Sequence, residues 1–131
     1  MTWLYVQKTG QLLDDEGKEV AIGYAGNGEG KNNPAMESVH NTGPLPCGLY
    51  IMEDPRDRPH CGRFAISLRP HLDNRMFGRN DFYIHGEKLL PAKPGEASNG
   101  CPIIDFMTRK RMWESGDHYF SVVAELPEVK G

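Results

Sequence analysis

Five histidines and three cysteines carry the side chains of this sequence best suited to nucleophilic and acid–base chemistry. Position selects among them. His85 ends the run Asp81-Phe82-Tyr83-Ile84-His85 and is followed by Gly86, while Cys101 follows Ser98-Asn99-Gly100. The pattern is His-Gly, fourteen further residues, then Cys. Strand ends and glycine turns are where a rigid scaffold presents side chains and backbone N–H groups to a substrate. A cysteine after such a turn can set its thiol and its own amide on one side, which are the nucleophile and oxyanion donor of thiol acyl transfer. With an ordinary pKa near 8.5, only about 3% of a thiol is ionised at pH 7, so a histidine within reach has work to do as a proton acceptor. The same imidazolium can then protonate a leaving amine. On pattern alone a second reading stands beside this one: a buried thiol and an unrelated surface imidazole.

The elements that must position these groups belong to a β-rich chain. The 131 residues include 15 glycines and 10 prolines, an excess that suits loop-rich β structure better than a helical bundle. Lys and Arg number 15 against 18 Asp and Glu, a net charge of −3. With a pI near 5.9, that balance counts against a nucleic-acid partner. A mean hydropathy of −0.57 and the lack of any long apolar run count against a membrane span. The opening MTWLYVQKTGQLL has no basic start, apolar centre or small-residue cleavage site, so synthesis in the cytoplasm without a signal peptide is expected. One domain over residues 1–131 fits the length.

Strands are expected at residues 3–7, 11–13, 18–25, 49–53, 63–68, 81–85 and 119–126. Asp14-Asp15-Glu16-Gly17 is hairpin-turn chemistry. Residues 26–43 read as a long loop with one helical turn starting at Pro34, and residues 54–62 as a polar loop. After Cys101 the period changes. Asp105 can cap a helix over residues 106–115 stopped by Gly116, with Phe106, Arg109, Met112 and Trp113 sharing a face. The fold class is therefore mostly β, sandwich- or barrel-like, with one short helix after Cys101.

The segments FYIHG (82–86), ASNGC (97–101) and TRKRMWESGDH (108–118) resemble the catalytic core of L,D-transpeptidases of the YkuD type. The resemblance is closer to small type VI secretion effectors with L,D-transpeptidase and carboxypeptidase activity. Those effectors are also similar through Trp3, Tyr5, Gln7, Thr9 and Gly10, through GYAGNGEGKNNP (23–34) and through GPLPCGLY (43–50). The resemblance runs over nearly the whole chain and implies a Cys101 nucleophile with His85 as general base. It implies Gly100 and Cys101 amides as the oxyanion hole, Ser98 as support for the turn, and Gly86 and Asn99 as shaping residues. Arg109 would meet a substrate carboxylate, with a surface helix charge as the other reading, and Tyr83, on the face of His85, would line the site or stand as an ordinary packed tyrosine. The larger family has Ser-His-Gly-Cys before its nucleophile, whereas Asn99 stands here in place of that histidine. The His-to-Cys loop, with Pro91, Lys93 and Pro94, is also long for such an effector.

What the resemblance implies is cleavage of the L,D bond before the terminal D-alanine of peptidoglycan tetrapeptide stems, or exchange of that residue for a D-amino acid, through a thioester. The implied setting is a competitor's periplasm, reached by secretion, with a cognate immunity protein and a secretion carrier as partners. A prophage or host wall enzyme is an alternative. So are a papain- or NlpC-like peptidase, against which the His-before-Cys order counts, and a non-catalytic wall-binding module. Tyr24, Asn32 and Asn33 are candidates for shaping the groove, with turn chemistry an equal reading of the asparagines. His40, His60, His71 and His118 read as solvated surface residues. No cofactor and no metal are expected, because no pair of cysteines has zinc-site spacing. Whether Cys47 and Cys61 pair depends on the redox compartment and stays open.

Overall fold

The computed structural model describes residues 2–87 and 95–127. Pro91, Lys93 and Pro94, singled out in the long loop, lie outside the described residues. Eight strands form one curled half-barrel sheet: β1 (Trp3–Val6), β2 (Gln11–Leu13), β3 (Glu19–Ile22), β4 (Gly48–Met52), β5 (Arg56–Arg58), β6 (Gly62–Pro70), β7 (Phe82–Ile84) and β8 (Tyr119–Val123). Their order is β3-β2-β1-β8-β4-β6-β5, with β7 paired to β6 off that path. The strands sit close to where the sequence puts them, with one addition. Residues 54–62 contain β5, an edge strand whose Arg-Asp-Arg sequence carries none of the apolar alternation by which strands are recognised.

Strand β8 joins the two halves. It runs parallel to β1, with Trp3 opposite Phe120 and Tyr5 opposite Val122, and antiparallel to β4. Tyr5 stacks on Phe120 at 5.9 Å between ring centroids, and around this pair gather Leu12, Tyr50, Ile66, Ile84, Ile104, Met112 and Val122. Only one short α-helix is present among the described residues, α1 (Phe106–Glu114), capped by the Asp105 carboxylate, which accepts from the Thr108 N–H at 3.0 Å. Gly116 follows with φ +78, a conformation that suits glycine at a helix end. Met112 and Arg109 are the buried residues of α1, and Trp113 packs partly against the core. His118 is not merely solvated: it stacks on Trp113 at 3.8 Å with the rings nearly parallel. No helix among the described residues is long and apolar enough to cross a membrane.

The core holds proton donors in their neutral forms. Burial pushes the Tyr5 and Tyr50 hydroxyls well above the ordinary tyrosine range, and it pushes Cys47, which also lies beside Glu37, up to about 12. Unfolded, these groups ionise near 10 for tyrosine and 8.5 for cysteine. Each keeps its proton longer in the folded state, so its contribution is fully present below pH 8.5 and is lost as pH climbs toward and past 12. The urea midpoint is therefore expected to fall steadily between pH 9 and pH 11. A midpoint flat over that interval contradicts the assignment.

Candidate active site

Strand β7 pairs with β6 through Ile66–Ile84 and Leu68–Phe82, which turns Phe82 and Ile84 into the core and Tyr83 to the other face. Its far edge receives the 98–104 segment. His85 forms a parallel bridge to Ile103, the His85 N–H donates to Pro102 O at 3.2 Å, and the Ile104 N–H donates to His85 O at 2.9 Å. This edge-on docking carries Cys101 to β7, where the Tyr83 N–H donates to Cys101 Sγ at 3.3 Å and Asp81 O lies 3.9 Å from the sulfur. Cys101 and His85 line one cleft of about 600 Å³, together with Tyr83, Asn99, Arg79, Asp81 and His40.

His85 is buried, and its Nδ1 lies 2.9 Å from the carbonyl of Gly86. A carbonyl can only accept, so this contact calls for a proton on Nδ1 and makes Nε2 the basic nitrogen of the neutral ring. The Cys101 thiol is half-buried and pushed up to about 12, chiefly by burial, against which the Tyr83 N–H and the Arg79 guanidinium pull down. At neutral pH the thiol thus rests protonated, and reaction requires that a base remove the proton as the sulfur attacks.

The turn before Cys101 is built around Ser98. Its buried Oγ accepts from the Gly26 N–H at 2.8 Å and from the Gly100 N–H at 3.0 Å, and donates to Cys101 O at 2.6 Å. The Gly100 amide, which the resemblance places in an oxyanion hole, therefore points at Ser98. Asn99 lies on the rim, where its Oδ1 is 3.4 Å from Asn27 Nδ2.

Two arginines show what the sequence hid. Arg109, expected to meet a substrate carboxylate, is buried and donates from Nε to Phe64 O at 3.2 Å, from Nη2 to Arg63 O at 3.0 Å and from Nη1 to Ile104 O. It lines a neighbouring cavity with Gly86, not the cleft of Cys101. Its guanidinium ties α1 to β6 and to the segment after Cys101, and lies so near Gly86 that a Cβ there would come within 2.8 Å of Nη1. Arg79 lies between the strands expected at 63–68 and 81–85, where no motif marks it. It is buried and donates to the carbonyls of Glu37 (2.6 Å), Pro44 (2.8 Å), Gly43 (3.0 Å) and Asn99 (3.2 Å), pinning the 37–44 loop to the turn before Cys101.

Gly100 has φ +139, and a Cβ on it would come within 2.5 Å of Arg79 Nη2, 2.9 Å of Phe82 Cε1 and 3.0 Å of Gly43 O. Gly100→Ala is expected to cost roughly 2–4 kcal/mol, a backbone penalty added to overpacking. Equilibrium urea unfolding measures it, and a loss under about 0.5 kcal/mol, the level of ordinary surface substitutions, contradicts the packing described.

Tyr24, Asn32 and Asn33 shape the loops. The Tyr24 hydroxyl bonds Glu87 and accepts from the Ala97 N–H at 3.0 Å. Asn32, at φ 52, accepts from the Ala25 N–H at 3.1 Å, and Asn33 caps a 3-10 turn over Pro34–Met36, the turn expected at Pro34. His40 Nε2 is 2.8 Å from Phe77 O. His60 and Cys61, from the β5–β6 turn, also line the cleft. Among the described residues no three histidine, cysteine or carboxylate side chains gather as a metal site would.

A family model, the Tlde1 domain, matches residues 19–119, which take in β3 through α1, His85 and Cys101. No curated protein matches the chain, and no solved structure does.

Proposed function

The chain belongs to the Tlde1 domain family, an enzyme-like type VI secretion effector domain of the L,D-transpeptidase type, and on that premise we propose that it trims or exchanges the last residue of peptidoglycan tetrapeptide stems. One observation carries the reading. The Cys101 thiol is held at the edge of β7 in the same cleft as the His85 imidazole, whose Nδ1 bears on a backbone carbonyl and so leaves Nε2 to act as the base in this reading. Cys101 Sγ attacks the carbonyl of the third stem residue while His85 Nε2 takes the thiol proton. The oxyanion that forms lies against the Cys101 N–H, and His85 returns the proton to the amine of the departing D-alanine. The acyl group remains on sulfur as a thioester. Water then gives the tripeptide stem, and the amine of a D-amino acid or of a second stem gives exchange or a cross-link.

Such an enzyme damages a wall by shortening or capping the stems from which cross-links are made. Its place of action is the periplasm of a target cell after secretion, and an immunity protein in the producer follows from that toxicity. The test incubates the purified, reduced protein with tetrapeptide muropeptides, with and without a D-amino acid, and reads products by mass spectrometry. Loss of the mass of one D-alanine is carboxypeptidase action, and its replacement is exchange. Neither change in a folded sample sinks the reading.

A further inference from the structure

The segment that sequence reads as a polar loop places one arginine against a residue of the cleft. Arg58, at the end of β5, stands over the Tyr83 ring at 4.7 Å. Tyr83 in turn lines the cleft and holds Cys101 Sγ through its main-chain N–H. On its other side Arg58 lines a second cavity of about 530 Å³ with Arg56, Arg69, Ser67, His118, Glu53 and Asp54. Arg58 thus lines the second cavity and Tyr83 the cleft of Cys101, and the stack joins the two side chains.

What distinguishes Arg58 from Arg79 and Arg109 is the lack of an acceptor among the described residues, and from the other arginines its buried, unpartnered Nε. Arg79 and Arg109 are saturated by backbone carbonyls. Glu53 lies 3.8 Å from Arg69, and the Asp57 carboxylate accepts from the Phe64 N–H at 3.0 Å. Among the described residues the Arg58 side chain has no hydrogen bond and no ion pair, and its Nε is buried with nothing to donate to. A guanidinium stacked on an aromatic ring is held in plane, with its terminal N–H fork pre-aimed for a planar, bidentate acceptor.

We propose that Arg58 is the carboxylate-reading residue of the substrate site, taking a carboxylate of the stem peptide on its terminal N–H groups where the peptide passes Tyr83. The assignment rests on the stem-peptide reading above and moves to Arg58 the role that the resemblance implies for Arg109. The ligand chemistry is a peptide carboxylate, and stems offer two sources: the terminal D-residue and the acidic side of the residues before it.

The experiment uses three synthetic stems: the tetrapeptide, its C-terminal amide, and a form amidated at the second residue. Wild type, Arg58→Gln and Arg58→Lys are assayed for kcat/KM with each. Wild type is expected to lose roughly ten- to hundredfold on one of the amidated stems, the scale of a charged hydrogen bond. Arg58→Gln loses as much on the parent stem and nothing more on that amide, whereas Arg58→Lys recovers part of the discrimination. A structural role for Arg58 lowers all three stems alike and leaves the amide penalty in place, which overturns the proposal. So does full activity of Arg58→Gln on the parent stem. Failure of wild type to turn over any stem removes the stem-peptide reading itself, and this assignment with it.

Discussion

Cys101→Ala is expected to abolish release and exchange of the terminal D-alanine, a loss of ~10³-fold or more, in a protein that unfolds close to the wild-type urea concentration. Loss of function and retention of fold follow from different atoms. In the proposed reaction only the sulfur can form the thioester, and it is held by one N–H contact at 3.3 Å and a longer approach to Asp81 O at 3.9 Å. Sulfur is a weak acceptor and a weak donor, so losing both contacts costs little. The bond that shapes the turn, from Ser98 Oγ to Cys101 O at 2.6 Å, uses the main chain and survives the substitution. Residual turnover above about one per cent in the folded variant, far beyond that expected loss, points to a different nucleophile. Cys61, on the same cleft, is then the thiol to test next.

His85→Ala should be nearly as severe, with kcat/KM down about 10²–10⁴-fold, the range supplied by a positioned general base. With the thiol pushed up to about 12 by burial, the thiolate at pH 7.5 is a fraction on the order of 10⁻⁵ to 10⁻⁴ unless a neighbour accepts the proton. The pH dependence carries the sign. In His85→Ala, alkylation of Cys101 by a neutral reagent should rise about tenfold per pH unit from 7 to 10 with no plateau, because the whole range lies below the thiol's own ionisation. Wild type should react faster than the variant at neutral pH and climb less steeply. Equal rates at pH 7 in a folded variant remove His85 from the chemistry.

How much of this was legible in the sequence depends on where each residue gets its neighbours. His85 and Cys101 could be read because their position is local: one ends a strand and the other follows a glycine turn. The cap at Asp105 and the stop at Gly116 are local too, as is the turn at Pro34. Arg109 could have been read further. Its spacing put it on the face of Met112, and a charged residue on the buried face of a helix needs acceptors inside the protein, which the carbonyls of Arg63, Phe64 and Ile104 supply. Arg79 and Arg58 gave no such signal. Arg79 gets its acceptors from residues 37–44 and 99, and Arg58 its stacking partner from residue 83, contacts that only the closed sheet creates. Strand β5 stayed hidden because it is held by register with β6, Arg56 against Ala65, and not by apolar side chains of its own.

The central place of β8 also sets the order in which the molecule can come together. β1 and β8 lie at opposite ends of the described chain, so their pairing closes a loop of more than a hundred residues, Trp3 to Phe120. Contacts so far apart in sequence are slow to form, because the entropy of closure is lost before the pairing repays it. β4 too waits for β8, since its other neighbour, β6, leaves one edge open until then. A nascent chain emerging from the ribosome therefore holds His85 and Cys101 well before it holds a completed sheet. Until Val123 has emerged, the residues of the cleft have been synthesised without the scaffold that aligns them, a built-in delay between synthesis and a finished site.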